Sequence, residues 1–297
     1  MKEKKNLIIG VAYGYDFEQM RPFMDSLKRI NFNGVVVIAG DDNLVIPVDY
    51  TRFVNVKVIN EKGLRRSIVL RGTNKFLSSP YVRNVAKQAL FKISKHNEGL
   101  FLNLFIHIYH IVNARIAFYY KYLKYNKFEN VFITDIRDVV FQSDPFVGFS
   151  GGCNVFQENE NTNIKSDKWS SSWIREGYGE KVLNAIGDKE IYCAGTILSD
   201  YESAVSLLNN MLIECLHWKG RMNIYGPDMG VLLYLIHTNG VSNLVKRKNG
   251  DIVLTVSPDT YDIIKIKNEL IEYKKIQPAV VHQYDRIASL ATFFNGL

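Results

Sequence analysis

Phe132-Ile133-Thr134-Asp135-Ile136-Arg137-Asp138-Val139-Val140-Phe141, near the middle of the chain, sets two carboxylates between two apolar runs. The first run, Asn130 to Thr134, has the length and composition of a buried central strand. Open α/β sheets bind ligands at the carboxyl ends of such strands, where Asp135 and Asp138 fall. Residues three apart in a fully extended strand point to opposite faces, so these two converge only if the chain turns between them. A turn of that kind would offer oxygen ligands suited to Mg²⁺ or Mn²⁺. It would equally serve a plainer end, with Asp135 capping backbone amides and Asp138 paired with Arg137. On these residues alone both uses stay open.

Working outward, Leu7 to Ala12 is a compact apolar run ending near Gly14, and it predicts a first buried strand. Phe17 to Ile30 follows with helical spacing at Met20, Phe23, Met24 and Leu27, with Pro22 expected in a first turn. Gly34 to Ala39 and Val56 to Ile59 predict two further strands. A strand–helix–strand opening points to a mostly parallel sheet covered by helices. Helices are expected between Asn84 and Lys95 and from Leu104 to Lys124. After Gly151-Gly152 the texture changes, and Asn159 to Ser172 is polar enough to form a loop or lid. Glu180 to Ile186, Tyr201 to Trp218 and Pro227 to His237 read as helices, Ile252 to Val256 and Ala279 to His282 as strands.

Composition sets outer bounds. The chain has 297 residues, of which 47% are hydrophobic and 23% charged, so it can bury a substantial globular core. Cys153, Cys193 and Cys215 are widely spaced and odd in number, which fits neither a disulfide framework nor a zinc spacing and favours a reducing compartment. No signal peptide is visible at the start of the sequence. The most apolar region, Leu100 to Tyr120, carries His107, His110, Asn113 and Arg115, which predicts a buried or amphipathic helix instead of a membrane span. The three helical histidines, His107, His110 and His237, are expected to be structural. A soluble, cytoplasmic protein is the expectation. The formal net charge of +7 favours anionic partners. The basic residues (Lys2, Lys4 and Lys5; Arg65 and Arg66; Lys246 to Lys248; Lys274 and Lys275) are scattered and not interleaved with aromatics, which argues against nucleic acid. A weak attraction to an anionic membrane face is left open.

Three later segments add chemistry. Tyr192-Cys193-Ala194-Gly195-Thr196-Ile197-Leu198 sets a small, bendable backbone ahead of an apolar strand. Tyr225-Gly226-Pro227-Asp228-Met229 has a breaker and an acid opening a helix. Val280-Val281-His282-Gln283-Tyr284-Asp285-Arg286 ends a short apolar strand on an imidazole. Taken in this order, the motifs resemble those of GT-A glycosyltransferases. They are similar to families with a D-x-D pair, a small-residue N/C-A-G segment, a D-Q helix start and a late metal-binding His. The likeness runs from the first strand to Arg286. One departure is plain: the usual acids are separated by one residue, and Asp135 and Asp138 by two. Asp138-Val139-Val140-Phe141 aligns with the second acid and the apolar run after it. That makes Asp138 the firmer metal ligand and leaves Asp135 to the metal, to a ribose or to an ordered water.

The resemblance implies an α/β, GT-A-like (Rossmann-like) fold with a mostly parallel central sheet flanked by helices. It implies one catalytic domain over 1–297, with a nucleotide-sugar half at about 1–150 and an acceptor half at about 151–297. The implied reaction moves a sugar from a nucleotide diphosphate donor to a glycan or lipid-linked acceptor, with Mn²⁺ or Mg²⁺ held by Asp135, Asp138 and His282. On the donor side it implies Ala12 and Tyr13 at the exit of the first strand, Asp135, Arg286, and Arg115, whose guanidinium offers two parallel donors to phosphate. Lys121 is a second helical cation there. On the acceptor side it implies Trp173 (with Trp169 beside it), Cys193, Gly195 and Thr196, and for Asp228 the part of general base or acceptor-orienting group. Each has an ordinary competing use: a core tryptophan, a solvated arginine, Asp228 as a helix N-cap. The motif order leans toward retaining transfer. Two other functions compete, a sugar-nucleotide nucleotidyltransferase and a non-catalytic carbohydrate- or membrane-binding module. Gly10-Val11-Ala12-Tyr13-Gly14 lacks the basic residue expected of the first.

Overall fold

The structure is a computed structural model that describes residues 5–64, 79–221 and 226–296. Lys2, Lys4, Arg65, Arg66 and Tyr225 lie outside the described residues. The chain runs β1 (Leu7–Ala12), α1 (Phe17–Arg29), β2 (Val35–Gly40), α2 (Val48–Thr51), β3 (Asn55–Ile59), α3 (Pro80–His96), α4 (Glu98–Ile108), α5 (Ile111–Tyr125), β4 (Asn130–Thr134) and β5 (Val139–Phe141). It continues with β6 (Cys153–Gln157), α6 (Lys168–Tyr178), α7 (Glu180–Ile186), β7 (Tyr192–Asp200), α8 (Tyr201–His217), α9 (Pro227–His237), β8 (Leu244–Arg247) and β9 (Val253–Thr255). The last elements are α10 (Pro258–Tyr261), β10 (Ile264–Lys267), β11 (Leu270–Tyr273), β12 (Val280–His282) and α11 (Ala288–Asn295).

Seven strands form the main sheet in the order β3-β2-β1-β4-β7-β6-β8. Only β7 runs against its neighbours, pairing antiparallel with β4 and β6, so the sheet is mostly parallel as expected. Alternate residues of β1 show why its sequence is apolar throughout. Leu7 and Ile9 enter a core shared with α4, α5, α8 and α9, whereas Ile8 enters the opposite core with Met20, Phe23, Met24 and Leu27 of α1. A strand covered on both faces has no solvent side, which is why it reads as a continuous run. Three strands in the order β5-β12-β9 make a smaller sheet, and β10-β11 is a separate hairpin. No helix among the described residues is long and apolar enough to cross a membrane.

Several local expectations are corrected. Leu104 to Lys124 is two helices, not one: Tyr109 and His110 adopt extended backbone, and His110 becomes the N-cap of α5. Pro22 lies inside α1, beyond its first turn; the helix start is carried by a capping box in which Asp16 and Gln19 satisfy each other's backbone amides. Cys193-Ala194-Gly195 does not precede a strand but belongs to β7, in the stretch where the β6–β7 register shifts and just ahead of the β4–β7 pairing that starts at Thr196. The polar segment after Asn159 becomes helical at Lys168, with Asp167 accepting from the Ser170 amide as N-cap.

Candidate metal and ligand site

The floor of the site is assembled where β4 ends. Residues 136–138 turn, and Val139 begins β5. The Asp135 amide donates to the Gly195 carbonyl at 2.9 Å, continuing the β4–β7 ladder. A Cβ on Gly195 would overlap the Asp135 carboxylate and stand 3.3 Å from His282 Nε2, so only glycine leaves these groups room. His282 ends β12, which is held between Val139 of β5 and Thr255 of β9. The chain then reverses at Gln283, with φ of 61°, and the Gln283 amide donates to the Asp138 carbonyl at 2.7 Å.

As a result His282 Nε2 lies 3.6 Å from Asp135 Oδ2 and 3.9 Å from Asp138 Oδ2. One ligand atom from each of the three groups falls within 4.8 Å of the others. His282 is 0% exposed, and its Nε2 is buried with no hydrogen-bond partner. An orphaned buried nitrogen facing two carboxylates is costly unless something satisfies it. Two oxygen ligands and an imidazole nitrogen fit Mn²⁺ or Mg²⁺, so the donor set present suits the expected ion. Burial works against charge on His282, yet Cys193, Asp135 and Asp138 hold its pKa well above the usual histidine value. Burial would raise Asp135, but Arg115 and His282 hold it well below the usual carboxylate range. Asp138 is raised, chiefly by burial, with the Asp135 charge adding to the shift and His282 opposing it.

Arg115 projects from the second turn of α5 and holds two acids at once. Its Nη1 meets Asp135 Oδ1 at 2.5 Å and its Nη2 meets Asp228 Oδ2 at 2.8 Å. Asp228 is not the N-cap of α9, a place taken by Gly226; its carboxylate turns to Arg115 and is only 4% exposed. Burial raises the Asp228 pKa, and Arg115 works against that shift.

A cavity of about 690 Å³ opens over this floor. Tyr13, Arg115, Asp135, Asp138, Asp228 and Arg286 line it, as do Trp173, Cys193 and Gly195 on the side of α6 and β7. Ala12 and Thr196 are not brought there: both are fully buried in the sheet. Tyr13 is nearly buried and donates to Asn60 Oδ1 at 3.2 Å. Lys121 is engaged with Glu61 at 3.0 Å and Asn103 at 3.2 Å. Of the arginines at the cavity, Arg115 is doubly paired and Arg137 is paired with Asp285 at 2.9 Å. Arg286 is exposed and makes no ion pair among the described residues. Trp169, 63% exposed, stacks on Trp173 with centroids 6.2 Å apart, and a Cβ on Gly226 (φ of 102°) would overlap the Trp173 ring.

Sequence reasoning missed Glu158. It follows β6, lines the cavity and has a pKa raised by burial, with Cys193, His282 and Arg286 opposing. The available signal was a carboxylate directly after the short strand-like stretch Cys153 to Gln157. His110, expected to be structural, caps α5 and also lines the cavity.

No protein-family model matches the sequence, and no curated protein sequence matches it either. Among solved structures, the galactosyltransferase LgtC in complex with donor and acceptor sugar analogs is similar over 98% of this chain and 95% of its own, at 11% identity and a TM-score of 0.51. An active-site mutant of LgtC aligns over 96% and 95% of the two chains, at 12% identity and a TM-score of 0.49. Core-mannan synthase A (CmsA/Ktr4) from Aspergillus fumigatus, in its Mn/GDP form, aligns over 82% and 73%, at 9% identity and a TM-score of 0.41. The chain therefore has the fold of a glycosyltransferase, the GT-A fold that the motif order implied. Its architecture extends over nearly the whole of LgtC.

Proposed function

We propose that the chain transfers a sugar from a nucleotide diphosphate donor to a carbohydrate acceptor, with a divalent cation held by Asp135, Asp138 and His282. The observation that carries this reading is the buried, unpartnered Nε2 of His282 turned toward two carboxylates at a cavity floor. A bound cation would supply charge to the leaving diphosphate. The chain's own groups divide the remaining work. Arg286, the cavity arginine without an acid partner among the described residues, binds phosphate oxygens. Tyr13, at the exit of β1, sides the nucleobase. Trp173, with Trp169 stacked on it, presents an aromatic face to the acceptor sugar, and Glu158 meets acceptor hydroxyls. That LgtC, which has this fold, was solved with donor and acceptor sugar analogs supports a donor and an acceptor as the two ligands.

In the step itself the bond from the anomeric carbon to the diphosphate oxygen breaks, and a bond to the acceptor oxygen forms. Asp228 is already neutralised by Arg115 at 2.8 Å and is a weak choice of base. Retaining transfer, in which the leaving phosphate takes the acceptor proton, fits that arrangement. Asp228 and Arg115 then act by positioning Asp135. The test is calorimetry and thermal shift with UDP- and GDP-sugars, with and without Mn²⁺. At least one donor should bind in a Mn²⁺-dependent way and be slowly hydrolysed; a full panel without binding overturns the reading.

A further inference from the structure

The His282 ring presents Nε2 to the two aspartates and Nδ1 to the opposite side, where Thr255 Oγ1 lies at 3.4 Å and Cys193 Sγ at 3.8 Å. A neutral imidazole carries one N–H, and the hydrogen bond made by one nitrogen decides the state of the other. For the Nε2 lone pair to face the carboxylates, the proton must sit on Nδ1, and that proton needs an acceptor. Cys193 is a poor one. Its sulfur is the more distant of the two groups, at 3.8 Å, and already receives the Gly195 amide at 3.3 Å. The Thr255 hydroxyl oxygen is the remaining acceptor, set opposite His282 by the β9–β12 register.

Thr255 is itself held fast. Asn249 Oδ1 accepts from the Thr255 amide at 2.7 Å, and Asn249 Nδ2 donates to the Thr255 carbonyl at 2.9 Å. The same Nδ2 donates to the Glu158 carbonyl at 2.9 Å. Both Asn249 and Thr255 are buried. One amide thus ties β9 of the small sheet to the end of β6 in the large one. We propose that Thr255, clamped by Asn249, is the positioning residue that fixes His282 as the Nδ1-protonated tautomer with Nε2 turned to the cation site. Asn249 also sets that ring relative to Glu158. The inference rests on the metal reading above and assigns residues outside the ligand set to it.

The experiment is Mn²⁺ binding by calorimetry and electron paramagnetic resonance, with no nucleotide present. Four proteins are compared: wild type, Thr255→Val, Thr255→Ser and His282→Ala. Outer-shell partners of metal-binding histidines typically change affinity by about 10–100-fold, so Thr255→Val should weaken Mn²⁺ by about that factor. Thr255→Ser should restore it, because it returns the hydroxyl. If Thr255→Val binds like wild type while His282→Ala does not bind, the positioning role is overturned and the metal site stands. If wild type binds no Mn²⁺, or His282→Ala binds as well as wild type, the metal reading fails and the inference fails with it. A second readout does not depend on the variants folding: histidine ¹⁵N spectra of the Mg²⁺-loaded wild type. Protonation of His282 at Nδ1 supports the assignment, and protonation at Nε2 with a bare Nδ1 overturns it.

Discussion

Arg115 and Asp228 are 113 positions apart in sequence, yet the guanidinium of one holds the carboxylate of the other at 2.8 Å beneath the cavity. The opposite edge of the same guanidinium holds Asp135, so one arginine braces the floor from both sides. Only 17% of the Arg115 side chain is exposed, and little charge there is screened by solvent. An arginine expected to meet phosphate is thereby committed to two acids of its own chain.

Arg115→Ala should cost stability more than it costs donor binding. Removing one partner of a buried pair leaves uncompensated charge and typically costs about 3–5 kcal/mol. Here two carboxylates would be stranded. Denaturant unfolding should show a loss of that size, and a loss below about 1 kcal/mol would mean that water already screens the cluster.

Asp138→Asn should separate stability from metal binding. In the absence of metal, Asp138 is a partly buried carboxylate beside Asp135, its side chain 17% exposed, and its pKa is raised chiefly because that burial disfavours the charge. The amide should leave the melting temperature of the metal-free protein unchanged or higher. Wild type should gain about 2.7 kcal/mol when Mn²⁺ is present at a hundred times its Kd. The variant should gain none at the same concentration. A variant that keeps the Mn²⁺-dependent rise in melting temperature would remove Asp138 from the ligand set.

What was legible in the sequence follows physical range. Leu7 to Ala12 and Pro227 to His237 are local patterns, and the observed elements coincide with them. The turn between Asp135 and Asp138 was forced by strand geometry, because carboxylates on opposite faces cannot converge without one. The nearness of His282 to them came through motif order, and the β12–β5 register realises it. The pairing of Arg115 with Asp228 and the Asn249 clamp on Thr255 were invisible, since they join side chains from elements that touch only after the sheets assemble. The break at His110 was hidden for a different reason. Apolar spacing persists across it, and only the extended backbone of Tyr109 and His110 ends one helix and starts the next. Glu158 was missed because the strand before it is flanked by glycines and polar residues that read as loop.

Lys87 supplies a pH signature remote from the cavity. Its ammonium is buried on α3 and donates to the carbonyls of Trp218 and Gly220 at the end of α8. Burial, with repulsion from Arg83, lowers its pKa from 10.5 to about 8. The folded-state value is thus below the unfolded one, so between these values the unfolded chain binds more protons and stability rises with pH. The cost of charging Lys87 is fully present below about pH 8 and is relieved as pH climbs toward 10.5. Lys87→Met lacks this titration. Between pH 7 and pH 10, wild type should therefore gain about 2 kcal/mol relative to the variant, read by denaturant unfolding at both pH values. A constant difference would show that the amine titrates as it does in water.

Arg286→Ala should weaken the donor while sparing the fold. The side chain is exposed, makes no ion pair among the described residues, and lines the cavity, as Glu158 does. Folding therefore has little to lose, and surface changes of this kind usually fall within about 0.5 kcal/mol. A charge-assisted hydrogen bond to phosphate contributes about 1.5–3 kcal/mol, which predicts a loss of about 10–100-fold in affinity for a nucleoside diphosphate. The matching nucleoside, which has no phosphate, should bind wild type and variant alike. Calorimetry on that pair of ligands distinguishes a phosphate contact from general damage to the pocket. Equal losses for both ligands would move Arg286 away from the phosphates. Loss for neither would return the phosphate role to Arg115, which would then have to release Asp135 or Asp228 when the donor binds.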